Sequence, residues 1–472
     1  MCKSVKGIQN KKCFWTCVSK RCLAKQLFYT KKFCNNKHTM SYKVFFKTFG
    51  CQMNIADSEY VASLLLSDEN YKLTDNINEA DIIIVNTCCV RKHAEDREKS
   101  FIGQLKKLKS KNNCKIIVLG CFVQKAKNEL KKQFPYVDLF IGTLEYEYLP
   151  EIIKNELGLQ NFYPQLHINV FNKTSCFVPI MKGCNNFCSY CIVPYVRGKE
   201  VSRDVNDILN EIKSLLDKGV KEIVLIGQNV NSYKSYIEGN TEVNFAKLLE
   251  KVAVWDTSKK YWVRFLTNHP KDMTYDIIKM IKLYKNISRH IHLPLQSGSN
   301  KILELMNRKY TIEKYKQIVE MIRSEIPDIS ITTDFIVGFP NETEEDFQQT
   351  ILAAKEIQFD AAFVFKYSPR EGTKAALLPD NVPKEIKEKR HYELLSLCDT
   401  IASQKNKKYI NKELEVLVIS RNEKNGKKFY IGKTLDNKTV EIYTNKNGII
   451  GSFIKTKIKD VKLHTLIGEL QN

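Results

Sequence analysis

Apolar and polar positions alternate near the start of the chain in a way that predicts a parallel α/β domain. Residues 43–49 alternate and are rich in aromatic side chains, which is typical of a strand. Continuous β-branched runs at 81–86 and 115–119 predict strands buried on both faces of a sheet. Segments with helical character lie between them, at 57–66 and 93–109. Strands that alternate with helices predict a small α/β domain over residues 42–150.

The middle of the chain continues this alternation over residues 170–404. Residues 203–218 are amphipathic, with Asp204 in the first turn and Gly219 directly after the end, which is typical of a helix. Strand-like apolar runs recur six times, at 176–181, 222–226, 262–266, 290–294, 331–336 and 362–366. This pattern predicts a second parallel α/β unit, and such units place their functional sites at the carboxyl ends of the strands.

From residue 413 the pattern changes to short strands without intervening helices. Gly and Asn separate strand-like runs at 414–419, 428–432, 439–443 and 452–458. We interpret residues 407–470 as a small β-barrel whose strands expose lysine, an arrangement common in barrels that bind RNA. An inert β-cap is the alternative interpretation.

Composition and charge add a polyanion to the expected partners. The 472 residues carry a formal net charge of +22, and 43% of them are hydrophobic, which suffices for large cores. Residues 407–472 hold 14 Lys and Arg against seven acidic residues, so a nucleic acid is the simplest partner. A general bias toward Lys and Asn is the alternative explanation. No apolar run reaches about 18 residues, so we expect no membrane insertion.

The N-terminal extension, residues 1–41, differs from the rest of the chain. The first 40 residues contain ten Lys and Arg, five cysteines and no Asp or Glu. Organelle transit segments are similarly poor in acidic residues. We therefore interpret this stretch as a basic extension and favour an organelle, a mitochondrion or plastid, as the location. A disordered basic arm on a cytoplasmic protein is the alternative.

Cys184, Cys188 and Cys191, here called the loop set, have the spacing C-x3-C-x2-C. A [4Fe–4S] cluster binds four thiolates, so a set of three leaves one iron with an open coordination position, where chemistry can take place. Zinc sites usually pair their cysteines and need a fourth ligand, and no other Cys or His lies within several residues of Cys191. The spacing favours an iron–sulfur cluster over zinc or unrelated core thiols.

Cys51, Cys88 and Cys121, here called the strand-end set, stand directly after three predicted strands of the N-terminal domain. Parallel strands end on one edge of their sheet, where such folds place their sites. We therefore expect the three thiols to converge and to bind a second cluster, with three buried core thiols as the alternative. Cys89 should point elsewhere, because successive residues of an extended chain alternate faces.

Several short motifs surround these cysteines. Tyr190 precedes the last cysteine of the loop set, and Pro194 follows it. Four further motifs lie elsewhere in the chain: Phe-Gly-Cys-Gln-Met-Asn at 49–54, Asn-Thr-Cys at 86–88, Gly-Gln-Asn-Val-Asn-Ser-Tyr at 227–233 and Gly-Phe-Pro at 338–340. In these motifs the chain resembles the radical S-adenosylmethionine (SAM) methylthiotransferases, in particular the subgroup that acts on tRNA. The likeness covers about residues 42–468. It implies a methylthiotransferase N-terminal domain, a radical SAM core with an open (β/α)6 partial barrel, and a TRAM-like RNA-binding β-barrel at the C-terminal end.

The resemblance also implies a chemistry. In the family the loop set binds the [4Fe–4S] cluster that cleaves SAM, and the strand-end set binds an auxiliary [4Fe–4S] cluster. The family replaces the C2–H of N6-dimethylallyladenosine, next to the anticodon, by C–S–CH3, with SAM as both radical source and methyl donor. The implied partners are the tRNA anticodon loop, an electron donor and a sulfur source. No catalytic residue is implied beyond the cluster ligands.

The side chains that contact SAM are less clearly marked. Gln228, Ser297 and Asp334 lie near predicted strand ends and are candidates for these contacts, with turn or capping roles as the alternative. Arg197 and Arg203 flank the loop set and are candidates for binding the SAM carboxylate or a phosphate. A solvated surface position is the alternative for both arginines.

Two other functions stay open at this point. One is methylthiolation of a different target, either threonylcarbamoyladenosine in tRNA or an aspartate of a ribosomal protein. The Gln-Met-Asn string at 52–54 argues against both targets. The other is a noncatalytic Fe–S protein that binds RNA, and the presence of all six candidate ligand cysteines argues against it.

Overall fold

The computed structural model describes residues 41–90, 92–157, 174–424 and 426–470. The predicted basic extension therefore lies outside the described residues, apart from its last residue, Ser41. Within these ranges no helix combines the length and the apolar character that a bilayer crossing requires.

The N-terminal domain is a parallel sheet with helices on both faces. Its elements are β1 (Tyr42–Thr48), α1 (Gln52–Leu66), β2 (Tyr71–Leu73), β3 (Ile82–Thr87), α2 (Lys92–Asn112), β4 (Lys115–Gly120), α3 (Cys121–Gln133), β5 (Leu139–Gly142) and α4 (Leu149–Leu157). The five strands are parallel, in the order β2-β1-β3-β4-β5. This confirms the predicted α/β domain and adds two short strands, β2 and β5.

The two faces of this sheet explain the continuous apolar runs in the sequence. Ile83 and Val85 belong to the core under α2, whereas Ile82 and Ile84 belong to the core under α1. All six residues of β3 are buried. Because neither face of the strand meets solvent, the polar positions of an alternating pattern are missing.

The central region holds the six predicted strands, all parallel. Its elements are β6 (Ser175–Pro179), β7 (Met181–Lys182), α5 (Val193–Arg197), β8 (Val201–Ser202), α6 (Val205–Asp217), β9 (Glu222–Ile226), β10 (Lys234–Ile237), β11 (Thr241–Asn244), α7 (Phe245–Ala253), β12 (Trp262–Phe265), α8 (Tyr275–Leu283), β13 (His290–His292), α9 (Asn300–Leu305), α10 (Ile312–Glu325), β14 (Ser330–Val337), α11 (Glu344–Ile357), β15 (Ala361–Lys366) and α12 (Lys384–Lys407). Two sheets, β6-β9-β12 and β13-β14-β15, are joined by a parallel bridge between Val263 and Ile287. The predicted open partial barrel is confirmed.

The C-terminal region is a closed β-barrel, as predicted. Its strands are β16 (Glu413–Lys424), β17 (Lys427–Thr434), β18 (Thr439–Tyr443), β19 (Phe453–Val461) and β20 (Thr465–Leu470), in the order β16-β17-β18-β20-β19. The sequence pattern predicted four of the five. The missed strand, β20, buries only Leu466 and Gly468, so its apolar signal is weak.

The turn after β17 docks the C-terminal barrel onto the central region. Arg264 donates a hydrogen bond to the carbonyl oxygen of Leu435 (3.0 Å), and the backbone N–H of Arg289 donates to the same oxygen (3.2 Å). Lys438 pairs with Asp360 at 3.1 Å. Arg289 precedes β13 and Asp360 precedes β15. The barrel therefore docks at the amino ends of the central strands.

Candidate active site

A cavity of about 250 Å³ lies at the carboxyl ends of the central strands and is shared with the N-terminal domain. All six candidate ligand cysteines line it, the strand-end set from one domain and the loop set from the other. Gln228 and Asp334 also line it. Two cysteine sets that are far apart in the sequence therefore face one space.

The strand-end set converges because its parent strands are neighbours. The strands β1, β3 and β4 lie side by side in the sheet. Cys51 directly precedes α1, Cys88 directly follows β3, and Cys121 is the first residue of α3. All three residues therefore stand at the carboxyl edge of the sheet, where the sequence pattern predicts them to converge.

Asn54 ties together the loops that carry this set. Its amide nitrogen donates hydrogen bonds to the carbonyl oxygens of Phe49 and Thr87, each at 2.9 Å. Gly50 allows the two loops to approach, because its φ is +104° and a Cβ there would lie 2.6 Å from the Cβ of Cys88. The Asn of the Gln-Met-Asn string therefore holds together the two loops that carry Cys51 and Cys88.

The loop set is held by a turn and by packing against α9. The N–H of Cys191 donates to the carbonyl oxygen of Cys188 at 2.9 Å, closing the turn between them. The N–H of Ser189, inside that turn, donates to the carbonyl oxygen of Met306 at 3.0 Å, just beyond α9. The loop is thus positioned by the central region rather than by the cysteines alone.

Burial changes the acidity of the thiols. Desolvation raises the pKa of Cys88 and of Cys191 to about 12 each. A hydrogen bond with Cys89 lowers the pKa of Cys121 to about 7, against the effect of its burial. Cys89 itself is buried in the N-terminal core and does not line the cavity. Metal coordination deprotonates a thiol outright, so bound iron offsets the cost of placing thiolates here.

The number of thiols in each set suits a cluster. Each set brings three cysteines to the cavity, and three thiolates leave one iron of a [4Fe–4S] cube with an open coordination position. Across the described residues, no three His, Cys, Asp or Glu side chains form a group that could hold a single metal ion.

Arg197 of α5 connects the two walls of the cavity. Its Nη2 donates to Oδ2 of Asp57 at 2.7 Å and to Oδ1 of Asn54 at 2.9 Å, both on α1. Its guanidinium also helps to lower the pKa of Cys121. Arg197 was a candidate for the SAM carboxylate or a phosphate; in the structure it lines the cavity, and its Nη2 pairs with a carboxylate of the protein itself.

A second buried arginine, which the sequence reasoning missed, lies against the loop set. Nη1 of Arg308 donates to Sγ of Cys188 at 3.4 Å and to the hydroxyl of Tyr190 at 3.5 Å. Its Nη2 donates to the carbonyl oxygen of Pro294 at 2.9 Å. No local motif marks this arginine, because it reaches the cysteines only through the fold. Each cysteine set thus has one buried cation beside it.

One wall of the cavity carries polar groups without partners in the described structure. The side-chain oxygens of Gln228, Asn268 and Gln296 are buried and unbonded in the described structure. Nδ1 of His269 accepts from the N–H of Lys271 (3.2 Å), which leaves an unpartnered Nε2–H on the neutral ring. Desolvation lowers the pKa of His269 to about 2 and keeps the ring neutral. Unpaired buried polar groups are costly, so these groups, which line the cavity, are candidates for contacts with a polar ligand.

This wall fits SAM, which offers both kinds of partner. Its amino groups can donate to the carboxamide oxygens, and its carboxylate and adenine nitrogens can accept from the imidazole N–H. Gln296 has φ +74° and Thr267, also in the wall, has φ +68°. Residues held in this left-handed region cluster at functional sites.

The other candidates for SAM contacts are placed differently. Asp334 lines the cavity, with Oδ2 3.4 Å from Nε2 of His292. Ser297 is fully buried outside the cavity lining, and its hydroxyl accepts from the N–H of Ser299 at 3.2 Å. The structure therefore gives Ser297 the turn role that was one of its alternatives, since Ser299 is the residue that caps α9. Arg203 pairs with a carboxylate of α6 at 2.8 Å.

Comparisons with known proteins agree with this architecture. Residues 178–354 match the Radical SAM superfamily, and residues 43–142 match a family described as "Uncharacterized protein family UPF0004". Among solved structures, the radical SAM methyltransferase TsrM from Kitasatospora setae aligns with a TM-score of 0.55 at 11% identity. The alignment covers 72% of this chain and 74% of that one, and it concerns the fold alone.

Fold, site and family matches together define a radical SAM protein with a methylthiotransferase N-terminal domain, a class that uses SAM and a [4Fe–4S] cluster. A tRNA-2-methylthio-N(6)-dimethylallyladenosine synthase from Thermodesulfovibrio yellowstonii is 46% identical over 436 residues, covering 90% of this chain and 98% of that protein. A synthase of the same description from Azobacteroides pseudotrichonymphae is 44% identical over 445 residues, covering 90% of this chain and 96% of the relative. The chain belongs to the family of tRNA-2-methylthio-N(6)-dimethylallyladenosine synthases.

Proposed function

We propose that this protein converts N6-dimethylallyladenosine next to the tRNA anticodon into its 2-methylthio derivative. The observation that carries the proposal is the meeting of two three-cysteine sets in one cavity. Each set is one thiolate short of the four that fill a [4Fe–4S] cluster. We propose that the strand-end set binds an auxiliary [4Fe–4S] cluster opposite the SAM-cleaving cluster of the loop set.

The reaction explains why one cavity needs both sets. The C2–H bond of adenine is not acidic, so a side-chain base cannot remove its proton usefully. When bound, SAM and the two clusters supply hydrogen abstraction by a carbon radical and delivery of sulfur. The residues of the protein hold the cysteine sets and SAM in place. Arg197 and Arg308 brace the two cysteine sets, and the unpartnered wall groups, which include Gln228 and His269, bind and orient SAM.

The alternatives receive less support. The relatives named above share one substrate description, N6-dimethylallyladenosine, which favours it over threonylcarbamoyladenosine or a ribosomal-protein aspartate. A noncatalytic Fe–S protein leaves the buried, unpartnered polar wall without an explanation. In the proposed enzyme the polar groups of this wall bind SAM and orient it toward the iron that has an open position.

The test is anaerobic reconstitution followed by nucleoside mass spectrometry. The full-length protein receives iron, sulfide, SAM, a reductant and an anticodon stem-loop RNA that contains N6-dimethylallyladenosine. We expect about eight irons per chain and conversion of the nucleoside to its methylthio form. A triple alanine variant of the loop set should keep about four irons and lose SAM cleavage. A wild-type protein that holds about eight irons and cleaves SAM, yet leaves the nucleoside unchanged, would refute the proposed substrate.

The reaction requires two further partners and a compartment. An electron donor must reduce the SAM-cleaving cluster, and a sulfur source must replace the atom built into each product. We also propose a mitochondrial or plastid location from the acid-free composition of residues 1–41. A fluorescent protein fused behind these residues should enter an organelle, and a cytosolic signal would contradict this proposal.

A further inference from the structure

Arg308 is a buried cation without a carboxylate partner in the described structure. The residue is 4% exposed and lines the cavity. Its guanidinium donates to a thiol, two phenol hydroxyls and a carbonyl oxygen, and no Asp or Glu among the described residues pairs with it. Arginine stays protonated in proteins, and a buried charge without a counter-charge is costly. An anion at this place in the cavity would offset that cost.

Several contacts fix the direction of this guanidinium. Its Nε donates to the hydroxyl of Tyr310 at 2.8 Å, and its central carbon lies 5.1 Å from the centroid of the same ring. The Tyr310 hydroxyl in turn donates to the carbonyl oxygen of Leu295 at 2.9 Å. Nη2 of Arg308 donates to the carbonyl oxygen of Pro294, just after β13, at 2.9 Å. These contacts direct Nη1 toward Cys188, whose Sγ accepts from it at 3.4 Å.

The segment that carries Arg308 is fastened to the cysteine loop. Nδ2 of Asn307 donates to the carbonyl oxygens of Phe187 at 2.9 Å and Asn186 at 3.3 Å, both between the first two cysteines of the loop set. Asn307 and Lys309, the two chain neighbours of Arg308, have φ of +56° and +61°. Such left-handed backbone persists where the surroundings enforce it. The fold therefore holds the arginine and the cysteine loop in one fixed register.

Hydrogen bonds to sulfur and nearby charge both change the reduction potential of an iron–sulfur cluster. A cluster gains one negative charge when it takes up an electron. A cation that donates to a ligand sulfur therefore stabilises the reduced state more than the oxidised state, which raises the potential. The effect is larger at a buried place, because a low local dielectric strengthens the interaction. Arg308 meets both conditions at Cys188.

We propose that Arg308 is a positioning residue that raises the reduction potential of the loop-set cluster, acting through the ligand sulfur of Cys188. The inference rests on the proposed function, because it takes that cluster as given. One electron passes from a one-electron reductant to the cluster, so the reductant is oxidised and the cluster is reduced. Arg308 keeps its proton, and no bond forms or breaks at it. A weaker reductant then suffices to start SAM cleavage.

The test is an anaerobic redox titration followed by electron paramagnetic resonance. Reconstituted full-length protein is titrated with dithionite in the absence of SAM. The signal of the loop-set cluster is the one that is missing from the triple alanine variant of that set. For Arg308→Met we expect the equilibrium constant of reduction to fall roughly tenfold, which is about 59 mV toward lower potential for one electron. Arg308→Lys keeps the positive charge and should recover part of this shift.

Arg323→Met is the matched control, because it also removes one positive charge. Arg323 lies on α10 outside the cavity lining, and its Nη2 donates to the carbonyl oxygen of Gln358 at 3.1 Å. Its variant should have the wild-type potential. Tyr310→Phe keeps the guanidinium but removes the hydroxyl that orients it, so we expect a smaller shift in the same direction. Bound iron is counted throughout, and Tyr310→Phe decides if Arg308→Met binds less iron than the wild type.

Two results would overturn the inference. One is a wild-type potential in Arg308→Met, or in Tyr310→Phe where Arg308→Met loses iron. The other is an equal shift in Arg323→Met, which would assign the effect to net charge. A wild-type potential together with weaker SAM binding in equilibrium dialysis would assign Arg308 to the SAM carboxylate instead.

The same titration separates this inference from the proposed function. If only the proposed function fails, the potential still depends on Arg308, although the wild type leaves the nucleoside unmodified. If only this inference fails, the wild type modifies the nucleoside and the potential does not depend on Arg308.

Discussion

Replacing Arg197 by methionine tests how the two walls of the site are held together. Arg197 lies on α5, a few residues after the loop set, and pairs with Asp57 on α1 of the N-terminal domain. Their side chains are only 7% and 12% exposed. Arg197→Met preserves an unbranched apolar stem but leaves the Asp57 carboxylate buried without a counter-charge. It also removes the donor that bonds Asn54.

The structure indicates a large effect. Removing one partner of a buried ion pair costs about 3–5 kcal/mol, because the remaining charge stays desolvated. We therefore expect the free energy of unfolding to fall by about that amount. Lys213→Met is the control, since Lys213 and Asp217 form an exposed pair with side chains 64% and 47% accessible. Its loss should not exceed about 1 kcal/mol.

The assay is urea unfolding of the full-length chain under anaerobic, reducing conditions, followed by tryptophan fluorescence. The double variant Arg197→Met/Asp57→Asn should regain part of the lost stability, because neither charge remains buried. A second readout is the iron retained by the strand-end set, which should fall when the Asn54 contact is lost. A loss as small as that of Lys213→Met, with no recovery in the double variant, would refute the reasoning.

The remaining predictions concern the ligands, SAM and pH. Cys121→Ser should lower bound iron from about eight toward about four per chain, whereas Cys89→Ser should leave bound iron unchanged. Equal losses of iron in the two variants would contradict the assignment of the strand-end set. Gln228→Ala should weaken SAM binding in equilibrium dialysis by about tenfold, whereas Ser297→Ala should not, because only Gln228 lines the cavity. Burial raises the pKa of Glu59 to about 7, so its contribution to stability is complete below pH 4.5 and is lost as pH rises through 7. The free energy of unfolding of Glu59→Gln, measured by urea unfolding relative to wild type, should therefore rise by about 3 kcal/mol between pH 4.5 and pH 8. A difference that does not change with pH would count against the raised pKa of Glu59 as its cause.

Short-range patterns in the sequence were enough to predict much of this protein. The buried strands β3 and β4 follow from their β-branched runs, and the spacing of the loop set follows from residues that are adjacent in the chain. The convergence of Cys51, Cys88 and Cys121 was also predictable, because parallel strands must end on one edge. Each of these inferences depends only on local periodicity or on a general rule of sheet geometry.

Other features depend on contacts between distant segments. Arg308 lies 120 residues from Cys188, and no motif marks their contact. Arg197 was a candidate for contact with a ligand because it flanks the loop set, and only the docking of α1 showed that it also pairs with Asp57. Gln228 and Ser297 looked equivalent in sequence, and only packing placed one in the cavity and the other in a buried turn.

The sequence by itself therefore determined most of the elements and marked six cysteines as candidate ligands of iron. Both follow from residue chemistry and from periods of two or a few residues. Only the tertiary structure decided which polar groups are left without partners and which side chains reach them. The reason is physical: burial and hydrogen bonding depend on how whole domains dock, and a side chain's neighbours in space are mostly not its neighbours in the chain.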